Sequence, residues 1–137
     1  MEFKSQIATT RKQSEELLLL GINPETADCH IEMAPSGIDY TYITQNYHGI
    51  VRNVIPAWSL TRLLELIPKS LEQTNRPNAD LDISSDRMYW FVTYEELGYD
   101  VKHQEMKKDL FDAVISTIDW LIREKYFNKE YLKGEEK

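Results

Sequence analysis

Apolar positions along the chain alternate between a helical and a strand period, and the switches coincide with capping and turn residues. Thr10 opens a helix whose first-turn amides it can cap, and Gln13, three residues on, completes a capping box. The helical period lasts to about Leu20. Gly21 then supplies the left-handed residue that ends the helix, Ile22 is placed to contact Leu17 in a Schellman motif, and Pro24 forbids continuation.

Cys29-His30-Ile31-Glu32-Met33 and Ile38-Asp39-Tyr40-Thr41-Tyr42-Ile43 both alternate with period two around the turn residues Ala34-Pro35-Ser36-Gly37. With those four residues as the loop, Met33 opposes Ile38, Ile31 opposes Tyr40 and Cys29 opposes Tyr42. One face is then apolar, and the other carries His30, Glu32, Asp39 and Thr41. A polar stretch with Tyr47-His48-Gly49 follows.

Ser59 is the expected N-cap of a short helix over 60–67. Trp58 before it is placed to staple onto Leu63, and Pro68 closes the helix. The stretch 69–80 reads as a polar surface loop. Met88 to Tyr94 is the strongest strand signal, and Glu95-Glu96-Leu97-Gly98 turns it into Tyr99 to His103. That register sets Tyr94 against Tyr99, Val92 against Val101 and Trp90 against His103, with Met88, Trp90, Val92, Tyr94 and Val101 on the inner face.

The last helix begins near Asp109 and runs Leu110, Ala113, Val114, Thr117, Ile118 and Leu121 along one stripe. Phe111, Ile115, Trp120 and Ile122 widen the apolar surface until only a narrow polar strip is left. Such a helix is either covered on two sides or presents an interaction face built on Phe111, Ile115 and Ile122. Beyond Phe127 the charged tail, about 128–137, is expected to fray.

These elements give an α+β fold in which an antiparallel sheet of two β-hairpins packs against three helices around a single core. All 137 residues form one domain. At 42% hydrophobic and 28% charged residues the chain can bury that core without disulfides. A formal net charge of −7, with Lys and Arg in pairs at most, disfavours direct nucleic-acid binding. The single cysteine fits a reducing compartment. The longest aliphatic run, Leu17 to Leu20, is far short of a membrane span, so the expected location is cytoplasmic.

Candidate chemistry is sparse. Cys29 and His30 are adjacent, but neighbours on a strand point to opposite faces, so the pair does not make a thiol nucleophile with its base. His30, Glu32 and Asp39 share one face in the register above, with the two carboxylates directly opposed. They are the candidate set for a divalent metal or for acid/base catalysis. Neither their spacing nor that of His48 and His103 matches a zinc motif. The sequence has no phosphate-binding glycine loop, nucleophile elbow or dinucleotide fingerprint, and no cofactor is expected.

Three stretches, Thr10 to Leu18 leading to Gly21–Asp28, then Ile55 to Pro68, and finally Ala113 to Tyr126, carry a likeness. Together they resemble a family of small uncharacterised proteins encoded in prophages and other mobile elements of Bacteroides-type gut bacteria. The likeness covers most of the chain in order, including the Trp58-Ser59-Leu60 helix entry. It implies a mobile-element context and assigns no residue a role. The expected function is a non-enzymatic accessory or protein-interaction domain with a protein partner or a homodimer. The alternatives are a small metal-dependent or acid/base enzyme using His30, Glu32 and Asp39, and an acidic inhibitor of a nucleic-acid-acting enzyme.

Overall fold

The computed structural model describes residues 5–44, 54–97 and 100–134, so the expectations for His48 and Tyr99 lie outside the described residues. The fold is α+β, with three α-helices and two antiparallel sheets of three and four strands among those residues. The chain divides into two units, one formed by Met1–Leu64 with Lys129–Lys137, the other by Glu65–Asn128.

The first unit opens on helix α1, Arg11–Leu19. Thr10 Oγ1 accepts from the Gln13 amide, and the Gln13 side chain accepts from the Thr10 amide, so the capping box forms as the sequence predicts. At the other end the amides of Ile22 and Gly21 donate to the carbonyls of Leu17 and Leu18, with Gly21 at φ +94°. This is the expected Schellman motif, and Leu17 and Ile22 are both buried.

Strands β1 (Cys29–Met33), β2 (Asp39–Ile43) and β3 (Val54–Ala57) form the three-stranded sheet in the order β2-β1-β3. β3 holds Pro56, which is tolerated because the strand lies at an edge. The β1–β2 register corrects the expected one by a single residue: Met33 pairs with Asp39, Glu32 with Tyr40, Ile31 with Thr41, His30 with Tyr42 and Cys29 with Ile43. The cause is the loop. Ala34 N–H donates to Ile38 C=O, so Ile38 closes the turn instead of pairing with Met33, and Gly37 takes the positive φ.

A register shift of one residue moves every side chain of β2 to the other face. The inner face is therefore Cys29, Ile31 and Met33 with Ile43, Thr41 and Asp39, continued on β3 by Ala57 and Ile55. Ala8, Cys29, Ile31 and Ala57 form a buried cluster there, with Ile55 packed against it.

Behind this sheet two hydroxyls are sealed from solvent. Thr9 and Ser14 are both fully buried and lie 2.7 Å apart through their Oγ atoms, and Thr9 Oγ1 also accepts from Trp58 N–H at 3.0 Å. Trp58 is buried as well and satisfies its indole by donating Nε1–H to Thr26 Oγ1. Helix α2, Leu60–Leu66, starts where Ser59 Oγ accepts from the Arg62 amide, the cap expected from sequence.

Residues 129–133 of the tail expected to fray are held. A 3₁₀ turn over Lys129–Tyr131 is followed by a bridge between Leu132 and Ile22, while Asn23 N–H donates to Tyr131 C=O and Lys133 N–H to Gly21 C=O. These bonds satisfy backbone groups just beyond the C-terminus of α1.

The second unit is a four-stranded sheet in the order β4-β5-β6-β7 with helix α3 on it. β4 is Ser70–Leu71, β5 Ala79–Ser85, β6 Trp90–Glu96, β7 Val101–Lys107 and α3 Leu110–Arg123. β4 and the start of β5 replace part of the expected loop. β6 continues through Glu96, so the expected β6–β7 register is corrected: Trp90 pairs with Lys107, Val92 with Glu105 and Tyr94 with His103, with a bulge before Glu95 opposes Val101.

Val92 and Tyr94 are buried as expected, whereas Met88, Trp90 and Val101 are exposed. Asp109 caps α3, and its stripe of Ala113, Val114, Thr117, Ile118 and Leu121 is fully buried. Tyr94 donates its phenol to Pro68 C=O at 2.6 Å, and burial raises its pKa. Glu96 at the end of β6 is buried in a cage of donors, Arg76 Nε at 2.9 Å, Arg76 Nη2 at 3.1 Å and Gln73 Nε2 at 3.2 Å. These bonds, Arg76 foremost, hold its carboxyl below the ordinary carboxylate range.

Candidate functional site

The corrected register takes apart the His30, Glu32 and Asp39 set. Glu32 and Asp39 are not opposed; they point to opposite faces of the sheet. On the outer face His30 Nε2 meets Glu32 Oε2 at 2.7 Å, His30 Nδ1 bonds to Thr44 Oγ1, and the ring stacks on Tyr42 at 5.3 Å. Both ring nitrogens are thereby occupied, which leaves no lone pair directed at a ligand. On the inner face Asp39 accepts from Arg11 Nε at 3.0 Å and Nη2 at 2.9 Å in a two-pronged ion pair. No group of three or more potential metal-ligating His, Cys, Asp or Glu residues occurs among the described residues.

Two open clefts flank Ile7 on the first unit. One, of about 470 Å³, runs between the segment from Ser5 to Arg11 and the inner face of β2, with Ile31 as its floor and the Arg11–Asp39 pair at its end. The other, of about 490 Å³, gathers Glu25, Asp28, Cys29, Thr44, Ser59 and Arg62.

The polar groups of the second cleft are largely engaged with one another. Asp28 accepts from the Ser59 amide at 2.8 Å and from its hydroxyl at 2.5 Å, and Arg62 Nη1 donates to Thr26 C=O at 2.7 Å. Asp28 thus orients the cap of α2. The Ser59 hydroxyl sits against a carboxylate, with no imidazole bonded to it among the described residues, and it caps the entry of α2. Cys29 is buried beside Asp28, and burial followed by that negative charge pushes its thiol up to about 11. A thiol so placed stays protonated at neutral pH, in keeping with its expected role as a small core residue.

The face expected on α3 is not open. Phe111 and Ile115 are 6% and 5% exposed and Ile122 is half-buried, so the helix belongs to the covered alternative. Trp120 carries a ring stack: His103 lies parallel on it at 4.1 Å, Tyr94 and Tyr126 follow at 6.1 and 5.8 Å, and Lys102 sits over Tyr126. His103 also meets Glu105 and therefore packs as part of the second unit instead of pairing with Trp90.

Exposed apolar surface collects instead on β2, all five of whose residues are exposed, with Tyr40 at 50%, Tyr42 at 47% and Ile43 at 82%. Sequence reasoning missed this because it paired both tyrosines with the inner face; the five-residue span from Ala34 to Ile38 was the only available signal. No helix among the described residues is long and apolar enough to cross a membrane. Searches of protein-family models, curated proteins and solved structures found no match to this chain.

Proposed function

We propose that this chain is a non-enzymatic protein-interaction domain, an accessory protein of a phage-like mobile element acting in the cytoplasm, and that it meets its protein partner through β2. The exposure of β2 carries the reading: an edge strand with Tyr40, Tyr42 and Ile43 in solvent is the kind of surface that proteins cover by pairing. The neutral Cys29, the doubly bonded His30 and the Asp39 already paired with Arg11 support it, because none of them is poised for chemistry.

The net charge of −7 favours a protein partner over a nucleic acid. The enzyme alternative needs His30, Glu32 and Asp39 to converge, and they lie on two faces. The test is affinity capture from host extract with the wild-type chain and a Tyr40→Ser/Ile43→Ser variant as baits. A protein retained by the first and lost from the second, with equal thermal melts for both baits, is the expected result. Equal retention by both would refute the assignment to β2.

A further inference from the structure

We infer that the occupant of the β2 edge is β2 of a second copy of this chain, paired antiparallel about a two-fold axis at Thr41. The inference rests on the reading of β2 as an interaction edge and adds the identity of the partner. Its starting point is the direction of the backbone groups. Ala34 N–H donates to Ile38 C=O and Thr44 N–H to Asp28 C=O, both at 2.8 Å and both in the β1–β2 register. In an antiparallel ladder hydrogen-bonded pairs alternate with non-bonded ones, so Tyr40 and Tyr42 turn their backbone groups toward β1. Asp39, Thr41 and Ile43 turn theirs outward, and no strand pairs with that edge among the described residues.

The edge is complementary to itself. With Thr41 facing Thr41 of the second copy, Asp39 of each chain faces Ile43 of the other, and all three outward-facing residues enter hydrogen-bonded pairs with two bonds in each. The intervening positions set Tyr40 against the partner's Tyr42 twice, and both Thr–Thr and aromatic cross-strand pairs are favourable. Charge agrees locally. Asp39 is the only carboxylate or ammonium group on the strand, Arg11 of its own chain already neutralises it, and in this register it meets an isoleucine. Moving the register by two residues in either direction loses one of the three bonded pairs.

The whole-chain charge works the other way. Two copies at −7 each repel, over a range that salt shortens to about 10 Å at 0.1 M. Self-association through an uncharged strip should therefore strengthen as salt rises, opposite to an interface held by ion pairs.

Sedimentation of the full chain over a concentration series at 50 and 500 mM NaCl tests the inference. A dimer is expected, with a lower dissociation constant at the higher salt. Thr41→Pro removes an outward amide that takes no part in the ladder to β1, so it should weaken the dimer at least tenfold and leave the thermal melt of the monomer little changed. If that variant does not fold, Thr41→Lys keeps the amide and sets two ammonium groups face to face at the axis, with the same expected loss. A wild-type chain that stays monomeric throughout, or a folded Thr41→Pro or Thr41→Lys chain that dimerises like wild type, overturns the inference. A monomeric wild type that still captures a host protein through Tyr40 and Ile43 removes only the second copy as partner; one that captures nothing also removes the interaction reading.

Discussion

Thr9→Val removes one buried hydroxyl from the first unit while nearly preserving shape. Thr9 Oγ1 receives the Trp58 amide at 3.0 Å and contacts Ser14 Oγ at 2.7 Å, and both Thr9 and Ser14 are fully buried. The substitution deprives the Trp58 N–H of this acceptor, which costs about 1–3 kcal/mol, and deprives the Ser14 hydroxyl of its partner for about 1 kcal/mol more. The expected loss is about 2–4 kcal/mol. Ser14→Ala alone should cost only about 1 kcal/mol, because Thr9 still receives the Trp58 amide. The double variant should then cost less than the sum of the singles by about 1 kcal/mol, as groups in one network do. Urea unfolding followed by far-ultraviolet circular dichroism and tryptophan fluorescence measures all three. A Thr9→Val loss below about 0.5 kcal/mol, or additivity of the pair, would show that the hydroxyls do not form one network.

Other consequences are equally direct. Ile115→Ala should destabilise the chain by about 2–5 kcal/mol, as core truncations do, with no change in sedimentation beyond that loss; a stable variant with altered association would restore the α3 face as an interface. Glu96 has its pKa lowered by Arg76, so the stability it supplies is present above the unfolded value near 4.5 and is lost as pH falls through the folded one. Glu96→Gln should flatten that acid limb of the urea midpoint against pH, and an unchanged limb would contradict the assignment. Cys29, raised to about 11, contributes stability that is complete below its ordinary value and lost as pH climbs toward 11. At pH 8 its thiol should therefore react with Ellman's reagent only after unfolding.

Features set by neighbours in the sequence were readable from it. Thr10 with Gln13, Gly21 with Ile22, and Ser59 as a cap all formed as expected, and α3 starts beside Asp109 as expected, because each is decided within about one helical turn. Register was not readable, since it depends on where a loop stops. One residue, Ile38, joined the turn, and that moved Asp39 to Arg11 on the far side of the sheet from His30 and Glu32. β5 was visible in principle, as Ala79-Asp80-Leu81-Asp82-Ile83 alternates, but its polar residues share the composition of the loop before it. The burial of Phe111 and Ile115 depends on what packs around α3, which periodicity along one helix does not specify.

The bonds that tie Tyr131, Leu132 and Lys133 to Gly21, Ile22 and Asn23 make the first unit discontinuous, with the whole of the second inserted between its parts. During synthesis, the segment that meets the end of α1 therefore leaves the ribosome only after the whole of the second unit. The inserted unit has its full sequence in hand before the enclosing one does. A chain released after residue 128 would hold every residue of the second unit, while the Gly21 carbonyl and the Asn23 amide would lack the partners that Lys133 and Tyr131 supply.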